Sequence, residues 1–271
     1  MDSGIWLHAR LACLLGLRSR AFRALVGIGV VLLITAWLSG AFSLRQPAIV
    51  AMDVGISGLR LLGTFFVLYW VQEIFVKDIE RRTAAMALAY PISRSAYVLG
   101  RWLGVVFLVA ITVAVWAVGL AILANVSDWG YAGSVRPELG TGYLIVLLGI
   151  FIDLLTVSMF VVWLASVAET PMLPFLGGAA FSVAARLLGP SAAYLRFSAS
   201  ADKEMSASML PVLDILRWLV PDLSRLDWRS IVLYGQWPPV DEILSGIALA
   251  VGYVVLFAVL AASNYNRREF S

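Results

Sequence analysis

One cysteine, Cys13, and one histidine, His8, stand in a chain of 271 residues. A single thiol forms no intrachain disulfide, and a lone histidine beside it cannot complete a Cys/His zinc site. Charge is scarce too: Asp, Glu, Lys and Arg make up 14% of the residues against 61% hydrophobic. With a mean hydropathy of +0.90, that balance excludes an ordinary soluble domain. No Gly-Lys pair occurs, so no GxxxxGK[ST] phosphate loop is present to bind ATP. Intramembrane proteolysis is poorly supplied, because His8 lies near the N-terminus and Asp153 has no second aspartate at equal depth in a span. A repeat of solenoid length is not visible, nor is a pair of broken helices of the inverted-repeat kind.

What is present is a series of long apolar runs. Stretches of roughly 17 to 25 apolar residues cross the hydrocarbon core as helices, and six are found, at about 23–42, 52–76, 102–125, 142–166, 172–189 and 242–263. The first follows Arg18, Arg20 and Arg23 with no convincing small-residue cleavage site, so it is expected to remain as an anchor rather than leave as a signal peptide. An even number of spans puts both termini on one side. With the termini cytoplasmic, the inner flanks hold Arg10, Arg18, Arg20 and Arg23, then Lys77, Arg81, Arg82, Arg94 and Arg101, then Arg267 and Arg268. Cytoplasmic loops carry such an excess of basic residues. The formal charge of +3 is thereby explained by topology, and no nucleic-acid partner is expected.

The expected fold is an all-α integral membrane protein forming one domain over residues 1–271, with three appendages. Residues 1–21 mix Ile5, Trp6, Leu11, Leu14, Leu15 and Leu17 with His8, Arg10 and Arg18, a pattern that suits an amphipathic helix in the inner interface. Residues 77–101 join spans two and three on the cytoplasmic side. Residues 190–241 lie between spans five and six, divided by Pro211, Pro221, Pro238 and Pro239, with Trp218, Trp228 and Trp237 placed to sit among headgroups. An extracytoplasmic cap of short interfacial helices is expected there.

Residues 73–104, EIFVKDIERRTAAMALAYPISRSAYVLGRWLG, are more organised than a passive loop requires. A short helix from about Ile79 to Ala89 groups Met86, Ala89 and Tyr90 near one edge and leaves Arg81 and Arg82 solvated. Pro91 disfavours helix at Tyr90. Ser93 or Ser95 can cap the helix that follows, and Gly100 with Gly104 forms a small-xxx-small pair that admits a close neighbour. With Glu80, Thr83, Leu88, Tyr90-Pro91-Ile92-Ser93-Arg94 and Leu99-Gly100-Arg101-Trp102-Leu103-Gly104, the segment resembles the cytoplasmic loop of ABC type 2 exporter permeases, including those of copper-enzyme-maturation systems. The ending Asn266-Arg267-Arg268-Glu269-Phe270 resembles that family's basic tail.

The resemblance implies a permease subunit without catalytic residues or a metal site. It would pair with a second copy or a sister permease and dock two separate ATPase subunits, which carry ATP and magnesium. The implied setting is a plasma (inner) membrane, with membrane lipids as surroundings. By carry-over, Asp78, Glu80, Arg81, Arg82, Thr83, Met86 and Tyr90 would contact the ATPase through a coupling helix. The basic run Lys77-Asp78-Ile79-Glu80-Arg81-Arg82 departs from the more acidic family pattern, which bears on which ATPase docks.

Charged residues inside spans are costly and mark a partner or a path. Asp53 and Glu73 lie near the ends of span two as interfacial anchors, and Arg186 near the outer end of span five is expected to snorkel. Arg60 and Asp153 lie deeper, at nearly matching depths, and read as a structural ion pair or as part of a substrate path. Tyr69, Trp70, Gln72, Thr156, Ser158 and Trp163 read as helix packing. Two alternatives stay open: an ion-coupled carrier using Asp153, and a membrane-embedded lipid-modifying enzyme. The second has only Asp78 and Glu80 as clustered cytoplasmic carboxylates, diluted by their basic neighbours.

Overall fold

The computed structural model describes residues 2–43, 45–77, 94–127, 136–197, 209–213, 215–216 and 220–267. Among these residues every regular element is helical: α1 (Asp2–Arg18), α2 (Arg20–Ala41), α3 (Pro47–Val71), α4 (Arg94–Val126), α5 (Thr141–Val167), α6 (Met172–Phe197), α7 (Arg229–Tyr234) and α8 (Val240–Arg267). A π-helical turn, Gln72–Val76, prolongs α3, and a 3-10 turn, Leu223–Leu226, precedes α7. Six helices are long and apolar enough to cross a membrane: α2, α3 with its π turn, α4, α5, α6 and α8. The protein is therefore an all-α, multi-pass membrane protein.

Burial separates the spans into inner and outer ones. Two-thirds (67%) of the most apolar window is buried in α3 and in α5, against 17% in α2 and in α8, so α3 and α5 form the centre and α2 and α8 present most of their surface outward. Apolar side chains facing lipid cost nothing, which is why α2 exposes Val26, Val30, Val31 and Ile34. Close helix approach is set by small residues and by indole or phenol groups that reach backbone oxygens. Gly55 of α3 lies under Leu120 of α4, and the Trp116 indole donates to the Gly55 carbonyl at 3.1 Å. The Tyr143 hydroxyl donates to the Ala117 carbonyl at 2.6 Å, and the Trp102 indole to Ser158 Oγ at 2.9 Å, tying α5 to α4. An aromatic seam joins α5, α6 and α8, with Phe160 stacked on Phe181 at 3.8 Å and Trp163 on Phe257 at 5.6 Å. Trp70 is fully buried, stacked on Phe66. Ser158, Trp163 and Trp70 thus serve packing.

At one end of the bundle the start of α4 meets both chain ends: Tyr97 lies 5.4 Å from His8 and 6.3 Å from Tyr265, ring to ring. Here α1 crosses α4 where Gly100 and Gly104 leave no room for side chains. A Cβ on Gly104 would fall 2.8 Å from the Ala9 carbonyl oxygen. Ser19 separates α1 from α2, its hydroxyl donating to the Gly16 carbonyl at 3.0 Å and accepting from the Phe22 amide at 3.1 Å.

Three boundaries differ from the expected ones. The second span begins at Pro47 rather than near residue 52, because proline suits the first helical position, where its missing N–H is not needed. The fifth span runs through Pro190 to Phe197 instead of ending at 189, at the loss of one intrahelical bond. Helix α4 begins at Arg94, so the connection expected over 77–101 is already helical in its last eight residues.

Candidate functional site

Of the connection between α6 and α8, residues 220–239 are described without a break. Over residues 220–235 it turns inward and fills the space among α3, α5 and α6, with Leu223, Leu226, Trp228, Ile231, Val232 and Leu233 buried. Local side-chain caps shape it. Asp222 accepts from the Ser224 amide at 3.2 Å and from its hydroxyl at 2.6 Å, which starts the 3-10 turn. Gly235, at φ +65°, closes α7 in the left-handed conformation that glycine adopts freely. The bundle receives this segment at three glycines of α5 and α6, the first being Gly142, where a Cβ would fall 2.5 Å from Ile231. A Cβ on Gly149 of α5 would fall 2.6 Å from the Leu226 carbonyl oxygen, and one on Gly189 of α6 would fall 2.7 Å from the Asp222 carboxylate. Gly149 lies eight residues into α5, about 12 Å from its start, so the segment packs more than two turns along that helix.

A single file of opposite charges links it to the helices. Arg186 of α6 contacts Asp153 of α5 through Nε and a terminal nitrogen, each 3.1 Å from Oδ2. Its other terminal nitrogen donates to Thr64 Oγ1 of α3 at 2.9 Å. Asp153 also faces Arg60 of α3, with Nε at 3.9 Å. Arg60 reaches the inserted segment, at 2.8 Å from Asp227 Oδ2 and 2.9 Å from the Leu226 carbonyl. Asp227 is held in turn by Arg229 at 2.8 Å, and Arg229 continues to Asp53 Oδ1 at 2.8 Å and Ser57 Oγ at 2.9 Å, both on α3. Three arginines and three aspartates therefore alternate with no net charge. Side-chain exposure is 20% at Arg186, falls to 0% at Asp153 and 8% at Arg60, and rises through 25% at Asp227 to 47% at Asp53, so the file is driest at Asp153 and wettest at Asp53.

The electrostatics of the segment follow from this arrangement. Burial alone would raise the Asp227 carboxyl, but the hydrogen bonds from Arg229 and the charge of Arg60 outweigh it and hold the group below its ordinary value. The Arg229 guanidinium is pushed the other way: burial disfavours its charge, and Asp227 with Asp53 more than compensates, leaving it above its usual value. Buried ion pairs contribute little net stability but penalise wrong arrangements heavily. This file accordingly fixes how α3, α5, α6 and the segment sit on one another. Beside it, between the segment and the start of α8, a polar cavity of about 460 Å³ is lined by Ser224, Arg225, Asp227, Trp228, Ser230 and Glu242.

Arg60 and Asp153 are brought together, yet each has a nearer partner of opposite charge. Arg186 does not snorkel: because α6 continues past Pro190, it stays eleven residues inside the helix, about 16 Å from its end, and turns to Asp153. The sequence signal for it was the one ionisable residue in span five. Asp53 is half exposed and engaged by Arg229, while Glu73 is bonded by Lys77 and by the Tyr69 hydroxyl, the latter at 3.2 Å. Asp78, Glu80, Arg81, Arg82, Thr83, Met86 and Tyr90 lie outside the described residues. What is described are the two ends of that connection. The π turn, buried at Ile74, Phe75 and Val76, is bound to α4 by Arg101, which donates to the Ile74 carbonyl at 2.6 Å. Extra carbonyls freed by π turns often sit at functional positions. Among the described residues no three His, Cys, Asp or Glu side chains cluster as metal ligands do.

The model of the ABC-2 family transporter protein matches residues 48–270, and the chain belongs to that family. It is an ABC transporter permease by family, and the match singles out no copper-enzyme-maturation branch. No curated protein matches the chain.

Proposed function

We propose that the chain is the transmembrane subunit of an ATP-driven ABC exporter. It works as a dimer with a second copy or a sister permease, on two ATPase subunits that bind ATP and magnesium, in a plasma (inner) membrane with both termini cytoplasmic. The observation that carries this reading is the family match over residues 48–270, which takes in five of the six spans and the whole connection between α3 and α4. The positive flanks at the end of the bundle that gathers α1, the start of α4 and the end of α8 support the orientation.

In this reading the ATPase engages residues 78–90, and α3 is the element that transmits force. Its far half carries Asp53 and Arg60, and Thr64 lies just past its middle, all members of the charge file or its hydrogen-bonded surround. Its near end is fastened to α4 through Arg101. A displacement imposed at the connection therefore strains the ion contacts that seat the inserted segment. Closing and opening of that segment is the extracytoplasmic gate of the proposed path. The ion-coupled carrier is less well supported, because Asp153 is held by Arg186 on both carboxylate oxygens, at 3.4 and 3.1 Å, and offers no vacant face to a transported cation.

Co-expression with candidate ATPase subunits tests the proposal. Capture of an ATPase in detergent by the wild type, and its loss in Glu80→Ala with Thr83→Ala while the variant keeps its thermal transition, is the expected result. Capture that survives both substitutions removes the assigned contact, and capture of no ATPase at all removes the exporter reading.

A further inference from the structure

Along the outside of the bundle, α2 and α4 enclose an apolar groove whose floor is Leu62 and Phe66 of α3 together with Trp116. Its upper part is lined by Phe22, Val26, Val30 and Leu33 on one side and Ile111 and Val115 on the other. Its floor stays flush at Gly29, where a Cβ would fall 3.0 Å from both Leu62 and the Trp116 ring. One turn below Ile111 on the same face of α4, Phe107 lines a second cavity, the mouth, of about 530 Å³ between α1 and α4, together with Trp6, Leu7, Ala9, Arg10 and Cys13. Trp6 and Phe107 stand ring to ring at 5.6 Å and form the wall of that mouth.

Two features of the groove specify its occupant. The first is depth: Phe22 to Leu33 is eleven residues of helix, about 16 Å, which is half of the roughly 30 Å hydrocarbon thickness and so the reach of one leaflet rather than of a crossing helix. The second is charge. Arg10 lies exposed at the mouth, with Arg18 and Arg23 exposed on the same α1 and α2 elbow, and no carboxylate among the described residues pairs with any of them. Basic groups placed at the level where an apolar surface begins attract anionic headgroups. Arg10 is placed there: Ala9 and Ala12 pack on Gly104, two residues past the point where the apolar run of α4 starts.

We propose that this groove binds one anionic phospholipid, its phosphate at Arg10 and an acyl chain along Phe107, Ile111 and Val115. The site is independent of the ATPase reading, since it uses no residue of the connection 78–93. Binding it holds α1 against the base of α4, so the lipid acts as a clasp on that corner of the bundle.

Cys13 makes the test direct, because it is the only thiol in the chain and lines the mouth. Burial pushes its pKa above the ordinary thiol value, so labelling is run at mildly alkaline pH. The full chain is placed in nanodiscs of phosphatidylcholine, with or without phosphatidylglycerol, and the rate of maleimide coupling at Cys13 is followed together with the thermal transition. Phosphatidylglycerol is expected to slow coupling several-fold and raise the transition in the wild type. Both effects are expected to vanish in Arg10→Gln, and in Ile111→Trp, which fills the groove but keeps the arginine. A phosphatidylglycerol effect that persists in Ile111→Trp is surface charge alone and overturns the site. Equal coupling in both lipids also overturns it, as does slowing that follows the number of chains per disc, which would assign the groove to a second copy.

Discussion

Replacing Asp153 by asparagine removes the negative charge at the driest point of the file. Arg186 and Arg60 are then left facing each other across a site whose carboxylate was 0% exposed. Breaking a buried pair by deleting one member costs about 3 to 5 kcal/mol, because the surviving charge is stranded. The two arginines are not stranded equally. At an effective dielectric of about 20, the contacts at 3.1 and 3.9 Å to Asp153 differ by only about 1 kcal/mol, so distance does not decide the matter. Arg60 keeps Asp227 at 2.8 Å, whereas Arg186 has no other carboxylate among the described residues. Arg186→Gln added to Asp153→Asn should therefore restore much of the loss, with a coupling of about 1 to 3 kcal/mol, and Arg60→Gln should restore little. Unfolding of the purified protein by titrated SDS, read by tryptophan emission for the wild type, the three single variants and the two doubles, gives these numbers. Additive losses for Asp153→Asn with Arg186→Gln, or equal rescue by the two arginine changes, would refute the assignment of Arg186 as the principal partner.

Gly149→Val should force the inserted segment out of its seat, because the new side chain meets the Leu226 carbonyl and the Trp228 ring; limited proteolysis should then cut within 220–235, where the wild type resists. Acid should loosen the same seat in a defined window. The Asp227 carboxyl lies below its ordinary value in the folded protein, so its contribution is complete above the ordinary Asp range near about 4 and is lost as pH falls through the lower folded value. The thermal transition should thus be level from neutral pH to about pH 5 and decline below about pH 4, with the decline reduced in Asp227→Asn.

The six spans were legible because each is an apolar run with few charges, a property of composition that needs no tertiary information. Their ends were less so. The fifth span was expected to end near 189, and that truncation by about two turns of a helix that runs to Phe197 moved Arg186 to a supposed surface and hid its bond to Asp153. The inserted segment was harder still. Leu223, Leu226, Trp228, Ile231, Val232 and Leu233, interrupted by Asp222, Arg225, Asp227 and Arg229, make the same alternation whether a chain rests on headgroups or is buried with its charges paired. The glycines at 142, 149 and 189 and the matching charges on three other helices separate the two cases. Those matches span up to 176 residues, beyond the reach of local pattern. The depths of Arg60 and Asp153 along their own helices, by contrast, could be counted from the sequence, and that is why their approach was visible.

The inserted segment has a consequence for energy conversion. Residues 220–235 carry Asp222 and Asp227 against Arg225 and Arg229, and the helices that hold the segment contribute Asp53 and Asp153 against Arg60 and Arg186. Moving one unpaired charge through the membrane field takes about 2.3 kcal/mol per 100 mV. A segment that moves with equal numbers of both signs does almost no electrical work. In the proposed exporter, opening of this segment is accordingly expected to be indifferent to membrane voltage, so transport by ATP hydrolysis would continue after loss of the resting potential.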